Sequence, residues 1–177
     1  MLFKEALKTP QEFQEFYPLL AEWLQTTLAK YVSSAQTVAS RAFPRLPTYF
    51  APITLETSKV VLVDQLPLPP LSSWGLTRFA DFERGDFSGI TFLDTFFVKK
   101  DQSRNEALHF HELIHIVQWR ILAPERFIYL YADGLDRFGY RNSPLEVMAY
   151  GAEAQFVNST TKFAAEEVVA QGLKFIT

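Results

Sequence analysis

Apolar positions set the first element. Thr9-Pro10-Gln11-Glu12 reads as an N-cap, a proline at the first helical position and a glutamate three residues after the cap. Phe13, Phe16, Tyr17, Leu20, Leu24, Leu28 and Tyr31 then recur at helical spacing, with Glu12, Glu15, Glu22 and Lys30 on other faces. The pattern predicts an amphipathic helix of about six turns that packs through its apolar stripe and carries no chemistry. From Arg41 to Leu71 the texture changes. Prolines at 44, 47, 52, 67, 69 and 70 forbid a long helix there. Ser58 to Val63 is short and rich in valine, which predicts a strand, and Leu66 to Pro70 reads as extended and polyproline-like. This Pro-rich 44–70 segment is either a connector over the surface or a strap across a cleft.

Further along, Ile90, Phe92, Phe96 and Val98 alternate with Thr91, Leu93, Thr95 and Phe97, predicting a second strand over 90–98 that Asp94 interrupts. Ser103 and Glu106 have capping-box spacing for a helix from Arg104 to Arg120. Pro124 opens another helix through Tyr131, and Gly134 and Gly139 break the chain after it. Ser143-Pro144-Leu145-Glu146 opens a helix reaching Phe156, and a last amphipathic helix covers Thr160 to Leu173. The expected architecture is α+β over one domain, residues 1–177, with a small, largely antiparallel sheet beside a buried helix and further helices around them.

Composition narrows the function. The chain has 177 residues, of which 48% are apolar, enough for one substantial core. Its net charge of −3 offers no electrostatic case for nucleic acid or an anionic membrane surface. No run approaches the ~18 apolar residues of a membrane span. Met1-Leu2-Phe3-Lys4-Glu5 does not read as a secretory signal, so the expectation is a cytoplasmic protein. There is no cysteine, which removes disulfides, thiolate nucleophiles and sulfur-ligated metals. Any metal must be held by histidine and carboxylate.

The histidines supply the chemistry. All three lie within seven residues, and His111-Glu112-Leu113-Ile114-His115 is an HExxH pattern. On a helix, positions four apart differ by only about 40° and rise about 6 Å, so both imidazoles share one cation. Glu112 sits about 60° further round, near enough to take a proton from a water beside the metal without being a ligand. Leu108, Phe110, Leu113, Ile114, Ile116, Val117 and Trp119 clothe nearly the whole circumference, so this helix runs through the interior. Polar groups there are costly without partners. His109 points more than about 100° away from both candidates and reads as a packed or surface residue.

A catalytic zinc needs a third protein ligand. No histidine follows His115, so that ligand is a carboxylate from Glu125, Asp133, Asp136, Glu146, Glu153, Glu166 or Glu167. Glu125 is explained as a helix-start charge, the two aspartates as turn residues, and Glu166 and Glu167 as a solvated pair. Glu146 is favoured because it stands alone among Leu145, Val147, Met148, Ala149, Gly151 and Ala152, small and apolar residues that admit close helix contact. The competing role for Glu146 is completion of a Ser143 capping box, and Glu153, two turns on, is the alternative ligand.

His111-Glu112-Leu113-Ile114-His115-Ile116-Val117-Gln118, followed by Asn142-Ser143-Pro144-Leu145-Glu146-Val147-Met148-Ala149-Tyr150, resembles the gluzincin branch of zinc metallopeptidases. It is similar to small bacterial members with a HELxHxxQ helix and a later NPxExxAY helix. The resemblance covers Glu106 to Phe156. It implies a zincin-like fold, Zn2+ held by His111, His115 and Glu146, Glu112 as general base and a peptide or protein substrate. It also implies that the strand near Ile90 to Val98 lines the cleft. Two departures stand out. Many gluzincins place an aspartate four residues after the ligand glutamate to orient a zinc-bound histidine, and here that position is Tyr150. Ser143 is inserted between Asn142 and Pro144. A peptidase further needs a donor for the developing oxyanion; Tyr140, just ahead of the ligand helix, is the candidate. The sequence leaves the oligomeric state open.

Overall fold

A computed structural model describes residues 10–176. The first helix, α1, spans Pro10–Tyr31, as the apolar stripe requires; its expected cap at Thr9 lies outside the described residues. Glu12 forms an ion pair with Arg78, 3.0 Å from Oε2 to Nη2. A two-residue strand β1 (Gln36–Thr37) follows, and the proline-rich region after it contains the short helix α2 (Pro52–Thr57) and the expected strand β2 (Lys59–Val63).

The predicted strand over 90–98 is instead a tight hairpin, β3 (Gly89–Phe92) and β4 (Thr95–Lys99). Leu93 takes a left-handed conformation at φ 56°, and the Asp94 carboxylate accepts from Arg120 Nε at 2.7 Å, so the two residues form the turn. Folding back there reassigns the faces. Ile90 pairs with Phe97 and Thr91 with Phe96, so Ile90, Phe92 and Phe97 share one side while Gly89, Thr91, Phe96 and Val98 share the other. The sheet order is β1-β2-β4-β3: the two outer pairings are antiparallel and the central β2–β4 pairing is parallel. The long connection from 64 to 88, which carries the short helix α3 (Ala80–Glu83), permits that parallel pairing.

Both faces of β4 are sealed. Phe97 packs on Tyr31, with Trp23 of the same helix on Phe92, so α1 covers one side. Phe96 meets His109 of helix α4 (Glu106–Leu122) on the other. Helix α4 starts later than predicted because Asn105, not Ser103, caps it, its side chain accepting from the Leu108 N–H at 3.1 Å. Glu106 accepts from the backbone N–H groups of Arg45 and Leu46 at 2.7 and 3.2 Å and closes no capping box.

Three helices complete the shell around α4: α5 (Pro124–Phe138), α6 (Pro144–Asn158) and α7 (Ala165–Leu173). Gly134 does not break α5. It is a close-approach position, where a Cβ would stand 2.9 Å from the Ser143 Cβ at the start of α6. Ala149 and Ala152 are buried on α6, the small-residue face expected to let it lie against α4. Every residue of α4 from His109 to Trp119 is buried, which makes partners for its polar side chains obligatory. Among the described residues, no helix is long and apolar enough to cross a membrane.

Candidate metal centre

The helical offset of four residues delivers what was expected of His111 and His115. Their Nε2 atoms face each other at 3.1 Å inside the domain. Glu146, from the first turn of α6, enters between them, its Oε2 3.4 Å from His111 Nε2 and its Oε1 3.4 Å from His115 Nε2. The donor atoms of these three residues all lie within 4.8 Å of one another, a group that could hold a metal ion. The capping-box role for Glu146 is overturned, because its carboxylate turns inward to the histidines and Ser143 makes no side-chain cap. Glu146 Oε2 is buried with no hydrogen-bond donor of its own.

The backs of the imidazoles fix their tautomers. His111 Nδ1 lies 3.1 Å from Glu153 Oε2, and a carboxylate oxygen there demands an N–H. His115 Nδ1 lies 2.8 Å from Gln118 Oε1. The Gln118 amide is itself oriented, since its Nε2 donates to the Leu145 carbonyl at 3.0 Å. With both Nδ1 atoms protonated, neutral histidines present two Nε2 lone pairs to each other and to a carboxylate. Three lone-pair donors converging in a buried space require a cation or a proton between them. This donor set of two imidazoles and one carboxylate fits a divalent metal with an open position.

Electrostatics agree with the geometry. Burial opposes a charge on His111, yet hydrogen bonding to Glu146 and Glu153 and the nearby Glu112 charge push its pKa up to about 10. Burial also works against ionising Glu146, but His115 and His111 hold it well below the ordinary carboxylate range. Both directions favour positive charge among these donors. Glu112 differs: burial raises its pKa, with His111, His115 and Thr91 acting in the opposite sense.

Strand β3 positions Glu112. Thr91 Oγ1 donates to Glu112 Oε2 at 2.7 Å. Gly89 leaves the space its carboxylate occupies, since a Cβ there would stand 2.4 Å from Glu112 Oε1. The expectation that the region near Ile90 lines the site is met by β3 alone, and Trp119 Nε1 donates to the Thr91 carbonyl at 3.2 Å.

Glu153 falls outside the group of converging donors, because it stands behind His111, against Nδ1. It makes the contact to a histidine that the resemblance gives to an aspartate at position 150. Tyr150 packs its ring on His111, centroids 4.6 Å apart. Tyr131, half-buried on α5, donates to Glu146 Oε1 at 2.6 Å and is not singled out by the sequence. No local pattern marks it; only the docking of α5 on α6 brings the phenol there. Tyr140 lines the same cavity as Glu112, His115 and Glu146 and leans on Phe87, with centroids 4.6 Å apart. Burial, the Glu146 charge and a hydrogen bond with Tyr150 keep its phenol protonated.

The remaining carboxylate candidates lie elsewhere. Asp136 pairs with Arg78, Asp133 with Arg137, Glu166 accepts from the Ala51 N–H, and Glu125 is exposed. His109 is packed. Its Nδ1 contacts the Asn105 carbonyl at 2.8 Å, its ring sits between Phe43 and Phe96, and burial lowers its pKa to about 4.

On its β3 side the centre opens onto a cavity bounded by α1, α5 and the 69–87 segment. The end of the proline-rich segment, at Pro69, thus reaches the site; most of that segment does not. The sequence matches no family model, and neither the curated proteins nor the solved structures show a match to it.

Proposed function

We propose that this protein is a zinc-dependent peptidase. The observation that carries the reading is the convergence of two tautomer-fixed Nε2 atoms and the Glu146 carboxylate beside a separate carboxylate, Glu112, that is not part of the group. His111, His115 and Glu146 would hold the zinc, which when bound supplies a Lewis acid that polarises a carbonyl and acidifies water. Glu112, held by Thr91, takes the proton of a water as its oxygen attacks the peptide carbonyl carbon. As the C–N bond breaks, Glu112 returns that proton to the leaving amine nitrogen. Tyr140 is assigned as the hydroxyl donor to the carbonyl oxygen as negative charge grows on it. The partner is a peptide or protein substrate.

A zinc that only staples helices together is the competing reading, with the protein a catalytically inactive zinc-binding scaffold or partner-binding domain. The observation favouring it is depth: His111, His115 and Glu146 are 3%, 5% and 1% exposed. Glu112→Gln separates the two. The peptidase reading expects wild-type zinc content in the variant and loss of hydrolysis of a mixed peptide pool by at least about 100-fold. Hydrolysis retained by the variant overturns the assignment of Glu112. A wild-type protein that binds one zinc and cleaves nothing in the pool is the scaffold.

A further inference from the structure

The cavity beside the metal centre has a chemical character of its own. Its walls come from α1 (Leu20, Leu24), α5 (Ala132, Leu135) and the 69–87 segment (Phe79, Phe82), with the metal centre at its floor. Among the described residues, Glu112, His115 and Glu146 are the ionisable groups with acidic or basic character in ordinary pH ranges that line it, and all three belong to the centre. No described lysine, arginine or aspartate reaches it.

We infer that the cavity receives a bulky, uncharged apolar group attached next to the bond being cleaved, and that a charged chain end does not enter there. The inference rests on the peptidase reading and names its substrate class. A free α-carboxylate or α-ammonium held among these walls, away from the centre itself, would lose its hydration with no counter-charge beside it. A terminus-directed peptidase needs such a counter-charge beside its metal, and this wall has none to offer. An apolar group, by contrast, gains on transfer from water along its whole length. The group is an aromatic or branched side chain, or an acyl chain; both present the same chemistry to these walls.

Hydroxamates that chelate the metal through one end and extend a tail into the cavity test this on the zinc-loaded protein. Affinity is read by calorimetry for acetohydroxamate and its homologues of increasing chain length, for a benzyl analogue, and for tails of equal length ending in a carboxylate. Each added methylene is expected to tighten binding about fourfold until the cavity is filled. The terminal carboxylate should abolish that gain. Ala132→Phe, which narrows the cavity without touching the centre, should flatten the series while acetohydroxamate binds as it does to the wild type. A rise that ends by about six carbons, matched by the benzyl analogue, assigns a side chain; a rise that continues to about ten assigns an acyl chain. Either upholds the inference. With zinc bound, a hydroxamate affinity independent of tail length, equal affinity for carboxylate tails, or no hydroxamate binding overturns it and leaves the metal centre standing. Failure to bind zinc at all overturns the peptidase reading, and this inference falls with it.

Discussion

Glu153 shows how one side chain can be legible as a candidate and still be assigned the wrong place. It lies on the same face of α6 as Glu146, so helical spacing alone leaves both within reach of the HExxH histidines. The two are separated by position along the axis: Glu146 meets Nε2 of both imidazoles, and Glu153 meets Nδ1 of His111 from behind. Its work is to hold the tautomer and the ring angle. Glu153→Ala is therefore expected to weaken zinc binding about 10- to 100-fold in competition with a chelator, whereas Tyr150→Phe, which keeps the ring against His111, should leave it unchanged. An unaltered zinc affinity in Glu153→Ala would remove the orienting role. His111, Glu112 and His115 are legible because their relation is local and a helix imposes it. Tyr131, Thr91 and Gly89 are not, because each touches the site across elements distant in sequence.

Among the elements, the α5–α6 junction decides whether Glu146 reaches the two histidines. Gly134 and Ser143 meet there with no room for a methyl group, and Glu146 begins one turn later. Gly134→Ala should cost roughly 1–3 kcal/mol in urea unfolding, because rigid backbone-proximal atoms must shift. Gly172→Ala offers the contrast. A Cβ at Gly172 would meet the Met148 Cε at 2.8 Å, the far end of a flexible side chain. That substitution should be neutral or stabilising by up to about 1 kcal/mol from helix propensity. Equal penalties at the two positions would show that the junction is not tight. The helices are largely readable from period and punctuation, though Gly134 reads falsely as a stop because a close-packing glycine and a helix-ending one look alike in sequence. The hairpin at Leu93-Asp94 escapes the pattern for a related reason: alternation carries on past a two-residue turn, and Asp94 alone does not reveal that the chain reverses.

At the scale of the whole molecule, the centre ties α4 to α6 directly and to α5 through Tyr131. A metal bound to the folded protein but not to the unfolded chain must then raise global stability. Zinc at about 100 times its Kd adds roughly 2.7 kcal/mol, which shifts the unfolding midpoint by roughly 5–10 °C for a chain of this size. His115→Ala should show no such shift, and an equal shift in that variant would place the zinc elsewhere. The α+β class with a small sheet follows from the order of apolar periods along the chain, because five helical segments and two short strand-like runs bury their apolar faces as helices packed on a small sheet.

The sequence by itself determined the elements that repeat locally, the pairing of His111 with His115, and the absence of cysteine chemistry, because each depends on neighbours within a few residues or on composition. Tertiary structure alone decided that β2 runs parallel to β4, that Glu153 stands behind His111, and that a cavity with apolar walls, roofed by α1, opens onto the centre. Those depend on how separate amphipathic faces dock. The same stripes of apolar residues are compatible with many dockings until the whole core is packed.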